Sequence, residues 1–140
     1  MKKMAAGKIP STYKLADGSI MPSIGLGTWL HQDGDSMYNA IMKAGYVHID
    51  TAEAYGNLEC IGEVLKKCFA AGKKREDLFI ASKIWHASYK DGAPKNLKGQ
   101  LKKLGLDYID LFYIHWPRGF FATPKCPVHK VWPGMEKCVE

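Results

Sequence analysis

Apolar residues along this chain gather into short runs that alternate with stretches of helical period, and polar turns separate the two. Thr12-Tyr13-Lys14-Leu15 and Ile20-Met21 flank Ala16-Asp17-Gly18-Ser19, and an Asp-Gly turn between short apolar runs predicts a β-hairpin over residues 11–23, placed to plug one end of a larger body. Residues 24–29 follow as a short strand whose Gly25 and Gly27 would let another backbone or a ligand approach closely. Met37, Ala40, Ile41 and Ala44 recur on one side of a helix predicted over 36–44, with Gly45 as its stop. Residues 48–52 read as the next strand, 58–71 as a helix closed by Gly72, and 78–83 as a third strand. A third helix is predicted over 93–104, with Pro94 near its start and Gly105 just past its end. Residues 109–116 form the most apolar strand, which Pro117 ends because proline cannot donate to a ladder. Residues 118–131 are rich in proline and aromatics and predict a loop, and 132–140 read as a helix that has only begun.

Strand and helix therefore alternate, which argues for an α/β protein of parallel βαβ units. At 140 residues the chain suits one core and is too short for two ordinary domains. It is read as a single domain over 1–140: a hairpin at 11–23, four strands with intervening helices at 24–117, and a loop with the start of a fourth helix at 118–140. No apolar run approaches the ~20 residues of a membrane span, and the basic start Met1-Lys2-Lys3 has no apolar stretch behind it. Cytoplasm is the expected location, with no membrane partner. Four cysteines stand at 60, 68, 126 and 138 without a Cys-x-x-Cys pair. On one helix Cys60 and Cys68 would lie ~12 Å apart along the axis, too far to bridge. Reduced thiols are expected. The formal charge of +6 raises nucleic acid as a partner, but the lysines come as Lys66-Lys67, Lys73-Lys74 and Lys102-Lys103 without interleaved aromatics. They read as solvated helix faces, so no nucleic acid is expected.

Chemistry enters through the strand ends. Side chains alternate along a strand, so His48, Asp50 and Ala52 share one face while Val47 and Ile49 turn toward covering helices. The third strand ends in Lys83, and in the fourth His115 shares its face with Tyr113 and Leu111. Tyr55 follows Asp50 by five residues, in the turn after the strand. Taken singly, each has an ordinary role: the Asp caps a turn, the Lys is solvated, the His is a hydrogen-bonded core residue and the Tyr packs. Convergence of all four on the C-terminal rim of parallel strands, where such proteins place active sites, favours a site. A phenol with a reference pKa near ~10 is a poor donor at pH 7, but a neighbouring ammonium stabilises its phenolate. Lys83 can be that ammonium, Asp50 its ion-pair partner, and His115 a group that orients a carbonyl oxygen toward Tyr55. Such an acid suits carbonyl reduction by a hydride-donating cofactor.

Residues 45–62, the run Leu78-Phe79-Ile80-Ala81-Ser82-Lys83, and residues 104–117 with their Ile114-His115-Trp116-Pro117 end resemble the aldo-keto reductases, NADPH-dependent carbonyl reductases on a (β/α)8 barrel. The likeness spans about 11–136, with three motifs in family order. It implies that Asp50, Tyr55, Lys83 and His115 are a catalytic tetrad with Tyr55 as general acid. It implies that Gly27, Thr28 and Asp50 meet the nicotinamide end of NADPH, and that Trp29, Trp85, His115, Trp116 and Phe120 line a pocket for a small-molecule carbonyl substrate. For the aromatics, plain packing is the competing role. The pattern usually has Arg where Val47 stands and Glu where Leu58 stands, and the loop after the fourth strand looks shorter than in many members. Trp132-Pro133-Gly134-Met135-Glu136 resembles the start of the fourth barrel helix.

A barrel of this kind typically needs ~250 residues, and four strands supply half of it. By resemblance the other half would carry the residues that stack on the nicotinamide and those that grip the adenosine phosphate. A second expectation is therefore a truncated, non-catalytic half-barrel or binding module without a complete cofactor site. A third, a metal-dependent hydrolase, is prompted by His48-x-Asp50 with His115 two strands away. Zinc wants three or four ligands, and Lys83 between them would repel it, so no metal is expected. Physiological substrate, reaction direction and oligomeric state are left open by the sequence.

Overall fold

The computed structural model describes residues 10–116 and 128–139. Two strands, β1 (Thr12–Lys14) and β2 (Ile20–Pro22), form the antiparallel hairpin. The Asp17 carboxylate closes its turn by accepting from the backbone N–H and the hydroxyl of Ser19. Four further strands, β3 (Leu26–Gly27), β4 (His48–Asp50), β5 (Phe79–Ile84) and β6 (Leu111–Ile114), make a parallel sheet in the order β3-β4-β5-β6. Between them run α1 (Gly34–Met42), α2 (Leu58–Ala70) and α3 (Ala93–Leu104), and α4 (Val128–Glu136) follows. The expected α/β alternation with its N-terminal hairpin is borne out.

Boundaries moved where side-chain chemistry overrode the apolar pattern. β3 is shorter than expected because Thr28 leaves the ladder to begin a turn, closed by the His31 N–H donating to the Thr28 carbonyl at 3.1 Å. α1 starts at Gly34 rather than 36 because Asp33 caps it, accepting from Asp35 and Ser36 N–H. These backbone bonds, that to Ser36 foremost, hold the Asp33 carboxyl below its ordinary value. Lys83 is the penultimate residue of β5, with Ile84 the last. α4 begins at Val128, four residues before the expected start at 132. Pro133 lies inside the helix, between Val131 and Met135, which sit one turn apart and both bury their side chains.

Register gives the sheet two distinct faces. Leu26 pairs with Ile49, Ile49 with Ile80, and Ser82 with Phe112, so these residues point the same way. Leu26, Ile49 and Ile80 pack with Met37 and Ile41 of α1, Ile61, Val64 and Leu65 of α2, and Leu104 of α3. Farther along the same face Ile84, Phe112 and Ile114 meet Tyr89, Ala93, Val131 and Met135. The opposite face carries Gly27, Asp50, Ala81, Lys83, Leu111 and Tyr113. At its N-terminal end the hairpin closes in: His48 Nδ1 lies 3.1 Å from the Pro22 carbonyl, which can only accept, so that nitrogen carries the proton. Gly25 lies against the same imidazole, whose Nδ1 would be 2.9 Å from a β-carbon there.

Two polar knots fix the strands to one another. Arg75 donates to the carbonyls of Leu78 and Tyr108 and to Asp110 Oδ2 at 2.7 Å, and that same oxygen accepts from the Ile80 N–H. On α3, buried Gln100 accepts from the Ser82 hydroxyl at 2.5 Å and donates to the Lys83 carbonyl at 3.0 Å. Helices α2 and α3 approach so closely at Gly62 that a β-carbon there would overlap the Lys103 carbonyl oxygen and sit 3.1 Å from the Leu104 carbonyl carbon. Backbone cannot yield as a side-chain tip can. Gly62→Ala is expected to destabilise the fold by about 1–3 kcal/mol, read as a lower urea midpoint at unchanged slope.

Candidate active site

The rim of the sheet where Asp50 ends β4 brings three of the predicted residues, Asp50, Tyr55 and Lys83, together at one ammonium. Lys83 Nζ lies 2.9 Å from both Asp50 carboxylate oxygens, 2.8 Å from the Thr51 carbonyl and 3.2 Å from the Tyr55 phenol oxygen. An ammonium has three protons and no lone pair. Carboxylate, carbonyl and phenol therefore take all three, and Tyr55 is the acceptor in its contact with Lys83. The Lys83 side chain is 7% exposed. Burial works against its charge, but hydrogen bonds to Asp50, then Tyr55, outweigh that and raise its pKa above the ordinary lysine value. The ammonium stays charged through the neutral range.

Each participant is delivered by a local structural reason. Asp50 is the last residue of β4, where the backbone turns away: the Thr28 N–H and hydroxyl both donate to the Asp50 carbonyl at 3.0 Å. Tyr55 sits on a 3₁₀ turn, Glu53–Tyr55. Glu53 ties this turn to the segment after β5, accepting from the Trp85 N–H at 2.9 Å and from the Ser88 hydroxyl at 2.5 Å. Lys83 is braced from the helical side through Gln100. His115 follows β6 and extends its ladder, its N–H donating to the Ile84 carbonyl at 3.2 Å.

His115 stands edge-on to Tyr55, with ring centroids 5.6 Å apart, and edge-on to Trp85 at 5.0 Å. Burial, then the nearby Lys83 charge, holds its pKa below the ordinary imidazole value. At neutral pH it is an uncharged ring with one N–H and one lone pair. Together with Trp29, Ala54, Tyr55, Trp85 and Trp116 it lines a cavity of about 440 Å³. Three of the expected aromatic wall residues are thus brought to the Tyr55 hydroxyl. Phe120 lies outside the described residues.

Gly27 and Thr28 stand beside the cavity rather than in its lining. Gly27 pairs with Asp50 across the ladder, and no atom comes within 4 Å of where its β-carbon would be. The strand there offers open backbone next to the carboxylate, a surface that fits a flat ring such as a nicotinamide. Thr28 is buried with its hydroxyl committed to Asp50, so it shapes that surface without presenting its side chain to a ligand.

Sequence reasoning missed several supports. Tyr113 donates from its hydroxyl to Asp50 Oδ1 at 2.8 Å, and the alternation that put His115 on this face also put Tyr113 there. Gln100 was legible as a lone amide on the stripe Ala93, Leu97, Gln100, Leu104, of which Ala93, Gln100 and Leu104 are buried. Asn57, also buried, donates both amide protons, to the carbonyls of Thr28 and His31 at 2.7 and 2.8 Å. Nothing in the linear pattern announced that contact or the one between Glu53 and Trp85.

The Aldo/keto reductase family model matches residues 23–140. A D-galacturonate reductase of Hypocrea jecorina is 43% identical over 111 residues, covering 78% of this chain and 36% of that protein. An aldose reductase of Encephalitozoon cuniculi is 46% identical over 121 residues, covering 83% and 40%. An aldo-keto reductase of Bombyx mori, solved in complex with NADP, superimposes with a TM-score of 0.80 at 35% identity, over 90% of this chain and 45% of that one. The chain spans less than half the length of these relatives. Its parallel sheet and helices superimpose on part of the Bombyx mori aldo-keto reductase's fold.

Because the folded-state value of His115 lies below the ordinary 6.5, the sign of its linkage is fixed. The group contributes stability that is present above about pH 6.5 and lost as pH falls through the lowered folded value. Imidazole NMR titration is expected to find the His115 midpoint below 6.5, and Lys83→Met to raise it by removing the second cause. A midpoint unmoved by Lys83→Met would overturn the Lys83 contribution and leave burial as the main source.

Proposed function

This chain belongs to the aldo/keto reductase family, and on that premise we propose that it supplies the acid half of an NADPH-dependent aldehyde or ketone reductase. The observation that carries the reading is the allocation of protons at Lys83. With all three ammonium protons committed, the Tyr55 oxygen accepts one of them, and no described residue accepts the Tyr55 hydroxyl proton. That proton is left to point into the aromatic cavity, where a carbonyl oxygen would lie.

In this reading Tyr55 is the general acid, giving its proton to the carbonyl oxygen as negative charge develops there. The phenolate left behind keeps its contact with the Lys83 ammonium, which stabilises it electrostatically. Asp50 holds that ammonium in place. His115, uncharged at neutral pH, offers a hydrogen bond that orients the carbonyl oxygen without competing as a proton source. Two groups on one rim, one kept neutral by burial and one backed by a cation, divide orientation from proton donation. Gly27 and Asp50, with Thr28 shaping the surface beside them, would hold the nicotinamide end of a cofactor that would supply the hydride. Trp29, Trp85 and Trp116, which line the cavity, would shield the reacting carbonyl from water and contact the substrate's apolar part. Free Cys60, Cys68 and Cys138 support a reducing, cytoplasmic setting. Among the described residues no helix is long and apolar enough to cross a membrane.

Tyr55→Phe is expected to lower NADPH oxidation with a simple aldehyde by about 10²–10⁴-fold, the span ascribed to general acid catalysis. Cofactor affinity should stay nearly intact, because Phe keeps the ring and its edge contact with His115. Equal turnover in the Phe variant would sink the tetrad.

A second reading is favoured by the sheet itself: among the described residues β3 and β6 each have a single neighbour, so both sides are open. The 140-residue segment taken alone is then a non-catalytic half-barrel or binding module that lacks a complete cofactor site. Gly27, Thr28 and Asp50 reach only one end of a dinucleotide, so fluorescence titration of the isolated segment is expected to show weak NADPH binding or none. Micromolar binding by a monomeric segment would mean that the described residues already make the cofactor site.

A further inference from the structure

Two phenols flank the Lys83 ammonium, and they are wired in opposite senses. Lys83 Nζ is 4.9 Å from the ring centre of Tyr55 and 5.2 Å from that of Tyr113. Tyr55 accepts from Lys83 through its oxygen. Tyr113 instead donates to Asp50 Oδ1 at 2.8 Å, a carboxylate oxygen that can only accept while Asp50 is ionised. The proton of Tyr113 is therefore committed, and that of Tyr55 is not.

The carboxylate is the exposed member of the ion pair, 32% accessible against 7% for Lys83. A carboxylate at the end of a three-residue strand can rotate about its own bonds, and the ammonium would follow it. We infer that Tyr113 is a positioning residue, clamping the Asp50 carboxylate so that Lys83 holds the angle at which its third N–H meets Tyr55. The phenol is suited to the task. Burial, then the hydrogen bond to Asp50, pushes its pKa up to about 12, so it stays a donor across the working range and does not compete with Tyr55 as the acid. Its place on β6, paired with Lys83 in the ladder, makes the clamp rigid. The consequence for catalysis rests on the reductase reading; the geometric claim about Lys83 does not.

The test separates the two. In a ¹H–¹⁵N spectrum of lysine ammonium groups, the Lys83 signal is assigned by its absence in Lys83→Arg. In Tyr113→Phe, hydrogen exchange of that ammonium with water is expected to speed up by about tenfold, the effect of losing one hydrogen bond to a charged group. Tyr113→Leu, which removes the ring as well, should reproduce it, with amide signals away from the rim unchanged. NADPH-dependent turnover in both variants should show kcat lowered by about tenfold and aldehyde KM within about twofold. Exchange unchanged from the parent protein overturns the clamp, and parent-like kcat in an active enzyme overturns its catalytic consequence. Absence of turnover in the parent supports the non-catalytic reading, full turnover in Tyr55→Phe sinks the tetrad, and in either case the exchange result decides the clamp.

Discussion

A charged ammonium 93% removed from solvent is the constraint from which the rest of the rim follows. Taking Lys83 out of water opposes its charge, and the group persists as a cation only because each of its protons finds an acceptor. Those acceptors come from different places in the chain: the Asp50 side chain, the Thr51 backbone and the Tyr55 side chain. Any shift of the 3₁₀ turn relative to β5 would leave a buried proton unmatched, which costs more than the matched bond gains. The ammonium therefore selects one placement of Tyr55 relative to Asp50. Chemistry and fold are served by the same contacts.

The sheet divides these demands between its faces. One face is apolar and carries stability through Leu26, Ile49, Ile80, Ile84, Phe112 and Ile114, packed beneath helices. The other carries Asp50, Lys83 and Tyr113 in consecutive strands at matched register. Parallel pairing makes this possible, because side chains at matched positions stack in rows and every strand ends on the same rim. Ser82 and Gln100 are the exception on the packed face, a satisfied polar pair in an apolar layer. Its use is positional: Gln100 also holds the Lys83 carbonyl, so helix α3 fixes the backbone from which the Lys83 ammonium projects.

How much of this was legible in the residues depended on the length scale of the contact. Period-two alternation put Asp50, Lys83 and His115 on one face, and the strands following one another with helices between put them on one rim. The glycine after α3 marked its end correctly, since Gly105 adopts φ +68° and caps Leu101. Asp33 and the burial of Val131 were the local facts that the apolar pattern overlooked, and each moved a helix start. The sense of the hydrogen bonds was beyond the sequence. That Tyr113 donates while Tyr55 accepts depends on which member of the Asp50–Lys83 pair each phenol reaches, which no periodicity encodes. The pairing of Glu53 with Trp85 is of the same kind.

Residues 50–57 gain a further significance once those long-range contacts are added. Asp50 and the Thr51 carbonyl reach β5, Glu53 reaches the segment after it, Tyr55 presents the hydroxyl, and Asn57 reaches back to the turn at 28–31. That last turn is strained: Leu30 sits at φ 58°, a left-handed conformation that costs a residue with a β-carbon roughly 1–2 kcal/mol. Leu30 and Trp29 are largely exposed, so apolar packing does not hold them there. What does is a carboxamide with two protons, spent on the carbonyls at either end of the turn. An aspartate at 57 has the same shape and no proton to give, so it would face two carbonyl oxygens with a negative charge. The cavity wall at Trp29 and the phenol of Tyr55 are thus set by residues two positions apart on one short segment, and a change in that segment would alter the cavity's shape and the Tyr55 placement together.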